Sequence, residues 1–172
     1  MNSLVRKSVL VATLQVVIVA SLGAKLVVDR ATRPRVWARA APVDPNMPIR
    51  GRYVSLRIEA AIGQGLDLPV PDTRTFSQPK PIALSVQDHQ LVALPSSERT
   101  GVTARAALPG QPRVAVLDRP LAYFIPEHAA DPSRRPPGEE LWVEVTLPRR
   151  GAPRPIRLGV KKNGVLAPLE LN

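Results

Sequence analysis

The chain contains no cysteine. Disulfide frameworks, thiolate zinc sites and cysteine nucleophiles are thereby excluded. Aromatic residues are almost as scarce, with two each of Trp, Tyr and Phe in 172 residues. Platforms on which single-stranded nucleic acid could stack are therefore scarce. The basic residues are scattered and form no RNA- or DNA-binding motif, so the net charge of +10 does not point to nucleic acid as a partner. The only histidines, His89 and His128, stand 39 positions apart, without metal-ligand spacing, and are expected as lone surface imidazoles. No G-x-S-x-G elbow and no glycine-rich phosphate loop occurs. On these grounds no catalytic residue, cofactor or metal is assigned, and the chain reads as a non-enzyme.

What the chain does have begins with a long apolar run. From Val9 to Val28 the exceptions are Thr13, Gln15, Ser21, Gly23 and Lys25. Twenty residues at a rise of 1.5 Å make a helix of roughly 30 Å, the thickness of a bilayer core. No polar face exists for water, which argues against a buried soluble helix. A cleaved signal peptide is the main rival, because Ala20, Ser21, Gly23 and Ala24 offer small residues near a cleavage point. Leu22 interrupts that pattern and the apolar run continues through Val28, so a retained anchor over residues 1–30 is preferred. Counting basic residues near each end (Arg6 and Lys7 against Lys25, Arg30, Arg33, Arg35 and Arg39) favours a cytoplasmic domain. The short basic N-tail instead resembles the start of an export signal. The exported arrangement is adopted here, with a single pass through the inner membrane and the domain on the periplasmic side.

Residues 31–50 read as a basic, proline-rich connector, and residues 51–172 as a β-rich domain. Twenty prolines lie mostly between short apolar runs, the pattern of short strands joined by stiff loops. Along Tyr53–Glu59, Val54, Leu56 and Ile58 alternate with Tyr53, Ser55, Arg57 and Glu59, which puts the two sets on opposite faces of a strand. Leu141, Val143, Val145 and Leu147 alternate with Trp142, Glu144 and Thr146 in the same way. Further strands are expected at 82–86, 90–94, 113–117, 121–125, 156–161 and 165–171, with loops over 63–81 and 126–139. Asn163-Gly164 is a strong signal for a type I′ hairpin turn. The expected fold is mainly β, one N-terminal transmembrane helix followed by a small antiparallel β-barrel or sandwich.

Two stretches carry a resemblance. Asp44-Pro45 followed by Ile49-Arg50-Gly51-Arg52-Tyr53-Val54-Ser55-Leu56-Arg57-Ile58 resembles the signature of the GDYXXLXY family, and Tyr123-Phe124-Ile125-Pro126-Glu127 resembles its second block. Arg52 stands where the family name has Asp, Ile58 where it has its last Tyr, and His128 where a Gly often follows Pro-Glu. The resemblance implies a membrane-anchored bacterial envelope protein working beside integral membrane proteins, and it implies no reaction. Residues 46–54 are also similar to the Met-Pro and Gly-Asp elements of type I signal peptidases. Asn46 occupies the place of their nucleophilic serine, which removes that reading.

The expected role is therefore a non-catalytic interaction domain, with Tyr53, Arg57, Tyr123 and Glu127 as contact residues, since Tyr and Arg are common interface anchors. Its expected partners are the membrane, through residues 9–28, and an integral membrane protein. The alternatives are an envelope hydrolase with a carboxylate site at Glu127 and a β-barrel that binds lipid or another small ligand.

Overall fold

A computed structural model describes residues 3–43, 53–69, 78–98, 100–108, 110, 112–129, 131–132 and 134–171. Asp44 to Arg52, which includes part of the first signature stretch and of the proline-rich connector, lies outside the described residues, as does 70–77 of the expected loop. The chain divides into two compact units, Met1–Arg33 and Pro34–Asn172.

The first unit is one helix, α1 (Ser3–Thr32). Its segment Lys7–Val28 is long and apolar enough to cross a membrane. The hydroxyls inside the run do not interrupt it. Thr13 Oγ1 donates to the Val9 carbonyl at 2.8 Å, and Ser21 Oγ to the Ile18 carbonyl at 2.8 Å. Both hydroxyls are satisfied by their own helix, as an apolar surrounding requires.

The second unit is built of strands: β1 (Arg35–Val43), β2 (Tyr53–Ile62), β3 (Lys80–Gln87), β4 (Gln90–Pro95), β5 (Thr103–Ala106), β6 (Val114–Leu117), β7 (Leu121–Phe124), β8 (Glu139–Thr146), β9 (Arg154–Lys162) and β10 (Val165–Pro168). The mainly β fold with one N-terminal apolar helix agrees with expectation, and five of the strands close a barrel. The long strand β2 serves two structures. Its first half pairs antiparallel with β1 on one edge (Ala40↔Ile58) and β7 on the other (Val54↔Tyr123). Its second half pairs parallel with β4 (Ala61↔Val92) and antiparallel with β6 (Ala60↔Ala115). Through β4–β3–β5–β6 the sheet returns to β2 and closes.

Side chains must fill a five-stranded barrel, and few large ones fit. Ala60, Ala93, Ala104, Ala106 and Ala115 are accordingly buried, with Ile82 and Leu117 as the bulkier members. Closure brings backbones close at Gly63, whose amide donates to the Ala93 carbonyl at 2.8 Å. A Cβ there would lie 2.9 Å from that oxygen and 2.5 Å from Leu94 Cδ2.

On the other side of β2, the order β2–β1–β8–β9–β10 forms an open sheet. Its inner face carries Val36, Ala38, Leu141, Val143, Val145 and Leu158, all buried. The Asn163-Gly164 turn has φ values of 50° and 83°, so both central residues are left-handed as a type I′ turn requires. Two elements differ from expectation. β1 lies within the stretch read as connector, and β5 falls where no strand is expected. Both bury mostly alanines (Ala38 and Ala40 beside Val36, Ala104 and Ala106) where branched residues would mark a strand.

Candidate functional site

The outer face of the open sheet carries most of the chemistry. Register sets its rows: Arg39 faces Trp142, Trp37 faces Glu144, and Glu140, Trp142 and Glu144 face Lys161, Gly159 and Arg157. Because side chains alternate along a strand, these residues all point away from the buried set.

A connected network runs across three strands. Arg39 Nη1 lies 3.6 Å from Glu59 Oε2 on β2, and Arg39 Nη2 lies 3.2 Å from Glu140 Oε1 on β8. The indole Nε1 of Trp142 donates to Glu140 Oε2 at 3.2 Å. Beside this, Arg157 donates from Nε to Glu144 Oε2 at 2.7 Å, and its guanidinium lies 5.4 Å from the Trp37 ring centroid. Lys161 places its ammonium 4.8 Å from the Trp142 ring centroid. Trp37 reaches across to β9 because Gly159 has no side chain, and a Cβ at that glycine would stand 2.7 Å from the indole.

Burial pushes the Glu59 carboxyl above its usual value of 4.5. The Arg39 guanidinium opposes that rise, and the Glu140 carboxylate adds to it. Loss of solvation outweighs a partner held at 3.6 Å, as befits a side chain that is only 17 % exposed.

A second wall faces this network. The β3–β4 hairpin turns through Asp88 and His89, whose φ values are 48° and 60°. Two consecutive left-handed residues make a type I′ turn, here without glycine, at positions where Asp and His are tolerated better than most. Between the walls lies a cleft of about 560 Å³. It is lined by Trp37, Arg39, Trp142, Lys161 and Leu166 on one side and by Asp88, His89, Gln90 and Leu91 on the other. Ala38, Glu59, Ala60, Ala61 and Val114 complete its lining. Both tryptophans of the chain belong to it. Among the described residues, no group of three His, Cys, Asp or Glu side chains could hold a metal ion.

The four residues expected as contacts lie along or beside β2. Pairing of β2 with β7 sets Tyr53 opposite Phe124 and Val54 opposite Tyr123, so the two signature stretches are neighbouring strands. Tyr53 and Phe124 share a face, their ring centroids 6.4 Å apart and tilted by 60°. Phe124 is 77 % exposed. Tyr123 points to the opposite face and packs against the core. Arg57 and Glu127 are exposed. None of the four lines the cleft. The cleft was hidden from the sequence because its residues come from seven strands, although Glu59 continues the Tyr53–Arg57 row. The concentration of both scarce tryptophans on neighbouring strands was the available signal, and Trp37 sat in the stretch read as connector.

The sequence model of the family described as GDYXXLXY protein matches residues 15–158. That span reaches from within α1 to β9 and includes the cleft residues up to Trp142, while Lys161 and Leu166 lie beyond it. No curated protein and no solved structure matches the chain.

Proposed function

We propose, from the premise that this chain belongs to the GDYXXLXY protein family, that it is a single-pass, membrane-anchored protein of the bacterial envelope. Its β-domain is a non-catalytic interaction module on the periplasmic side of the inner membrane, and it docks on an integral membrane protein. The observation that carries this reading is the pairing of the two signature stretches. Positions about seventy residues apart in sequence form one aromatic patch, Tyr53 against a largely exposed Phe124. A large aromatic side chain left in water is an unfavourable use of apolar surface, and Tyr with Phe and a nearby Arg is the composition of interface cores. Arg57 stands on the same face of β2 as Tyr53. The hydrolase reading centred on Glu127 has less support, since that side chain is exposed and outside the cleft.

The test is a photo-crosslinking residue in place of Phe124, used in native membranes with Leu108, another exposed apolar residue, as the control position. One discrete adduct to an integral membrane protein is expected from position 124 and none from 108, and it should weaken when Tyr53 and Arg57 are replaced by Ser. Adducts only to lipid would mean that the patch rests on the bilayer, and the docking reading would fall. Sidedness is read separately. The chain lacks cysteine, so a single Val165→Cys at the exposed β9–β10 hairpin reports access to an impermeant maleimide in spheroplasts. Labelling is expected without lysis.

A further inference from the structure

We propose that the cleft between the two-tryptophan sheet face and the Asp88-His89 turn is a binding site for a neutral oligosaccharide. The site is separate from the Tyr53–Phe124 patch, so this inference stands whether or not that patch docks a protein.

Charge is the first argument. The whole chain carries +10, yet the cleft is lined by two formal cations, Arg39 and Lys161, and two formal anions, Glu59 and Asp88. They sum to zero, so no net field gathers ions of either sign there. The charges are also committed. Arg39 is shared between Glu59 and Glu140, which leaves little for a free anion.

Shape and chemistry supply the second argument. The volume of about 560 Å³ falls within the small-ligand range of about 300–1,000 Å³. Two indoles line the cleft, and the electron-rich face of an indole is complementary to the C–H face of a pyranose ring. Around them stand acceptors (Glu59, Asp88), donors (Arg39, Lys161) and groups that are both (His89, Gln90). Sugar hydroxyls donate and accept at once, and so can use such a mixed rim without leaving any of it unpaired. Lys161 sits on a long flexible stem and can yield the Trp142 face to an arriving ring.

The third argument is rigidity. Trp37 is seated on Gly159, Trp142 is tied to Glu140, and the opposite rim is a two-residue turn held in the left-handed region. A two-residue turn of this kind fixes the tip of the hairpin that forms the rim. Groups fixed before binding lose less entropy when a ligand arrives.

Because both tryptophans line the cleft, intrinsic fluorescence of the full-length protein in phosphatidylcholine nanodiscs reads this site and no other. Triacetylchitotriose and cellotriose are titrated in parallel, with sodium sulfate and tetramethylammonium chloride as ionic probes. A saturable change in emission with at least one trisaccharide is expected, and neither ion should produce one. Trp142→Ala and Glu59→Gln should each weaken that response about tenfold or more, equivalent to about 1.4 kcal/mol. Glu59→Gln is close in shape, so it keeps the test valid if the alanine variant is poorly folded, and calorimetry checks both. A response to tetramethylammonium alone would make this a cation site and overturn the proposal. So would silence toward both sugars at tens of millimolar, or sugar binding unchanged in both variants.

Discussion

The two halves of β2 lead into regions that use the same strand chemistry differently. The second half enters the closed barrel, where every edge is paired and alanines fill a narrow interior. The first half supports the open sheet, where larger branched residues cover one face and indoles, guanidiniums and carboxylates stand on the other. A closed barrel of small residues has no slack, because each backbone is fixed by two neighbours. The open sheet can carry bulky side chains outward at little cost to its core. The contrast predicts that stability is concentrated in the barrel and recognition chemistry on the sheet beside it.

The sharpest way to break this contrast is at the closure. Gly63→Val drives side-chain atoms into the Ala93 carbonyl and the Leu94 side chain, and backbone cannot move aside as a flexible tip would. Overpacking costs typically 1–3 kcal/mol and more where backbone is involved, so a loss of about 3 kcal/mol or more is expected. Denaturant unfolding followed by tryptophan fluorescence measures it, since both indoles lie in the β unit. A loss below about 1 kcal/mol would mean that the barrel breathes at the β2–β4 pairing.

A pair of substitutions sharpens the comparison. Ala115→Leu inserts three carbons into the barrel interior, where Ala115 is fully buried, and should cost about 2–3 kcal/mol. Trp142→Ala removes far more volume from the outer sheet face. It sacrifices a hydrogen bond to Glu140 and a cation contact with Lys161, each worth about 0.5–1.5 kcal/mol where partly exposed. The small insertion is thus expected to cost at least as much as the large deletion. The reverse order would place the stability of the domain in the sheet.

The same contrast explains what could be read beforehand. β2 and β8 were legible because branched residues alternate with polar ones, as in Val54-Ser55-Leu56-Arg57-Ile58. The Asn163-Gly164 turn was legible because glycine there is a local steric requirement. β1 and β5 were not, because alanine gives a weak periodic contrast, and alanine is what the packing selects there. The turn at Asp88-His89 escaped for a related reason: neither residue announces a left-handed conformation. Parallel pairing of β2 with β4 is a non-local choice with no local mark, and without it the second wall of the cleft cannot be placed opposite the first. That Tyr53 and Phe124 stand on adjacent strands is likewise non-local and is given by the β2–β7 pairing. That Tyr123 turns inward follows from register, which the motif alone does not give.

The smallest expected effect tests the floor of the cleft, where β2 passes from one region to the other. Glu59 has its carboxyl raised by burial, so its protonated form is favoured in the folded chain. The stability linked to that proton is complete below the unfolded value near 4.5 and is lost as pH rises through the higher folded value. Glu59→Gln keeps the shape and mimics the protonated state at every pH. Wild type and variant should therefore differ least in acid. As pH rises toward neutrality, the variant should gain on the wild type, even though Arg39 keeps only Glu140 as its partner. Taking the difference between two denaturation profiles cancels the titration of the remaining carboxylates. If instead the wild type gained on the variant with rising pH, the Arg39 ion pair would outweigh the loss of solvation. Glu59 would then belong to the solvated charge network of the open sheet, and the boundary between the two regions would lie further along β2, toward Ala60 and Ala61.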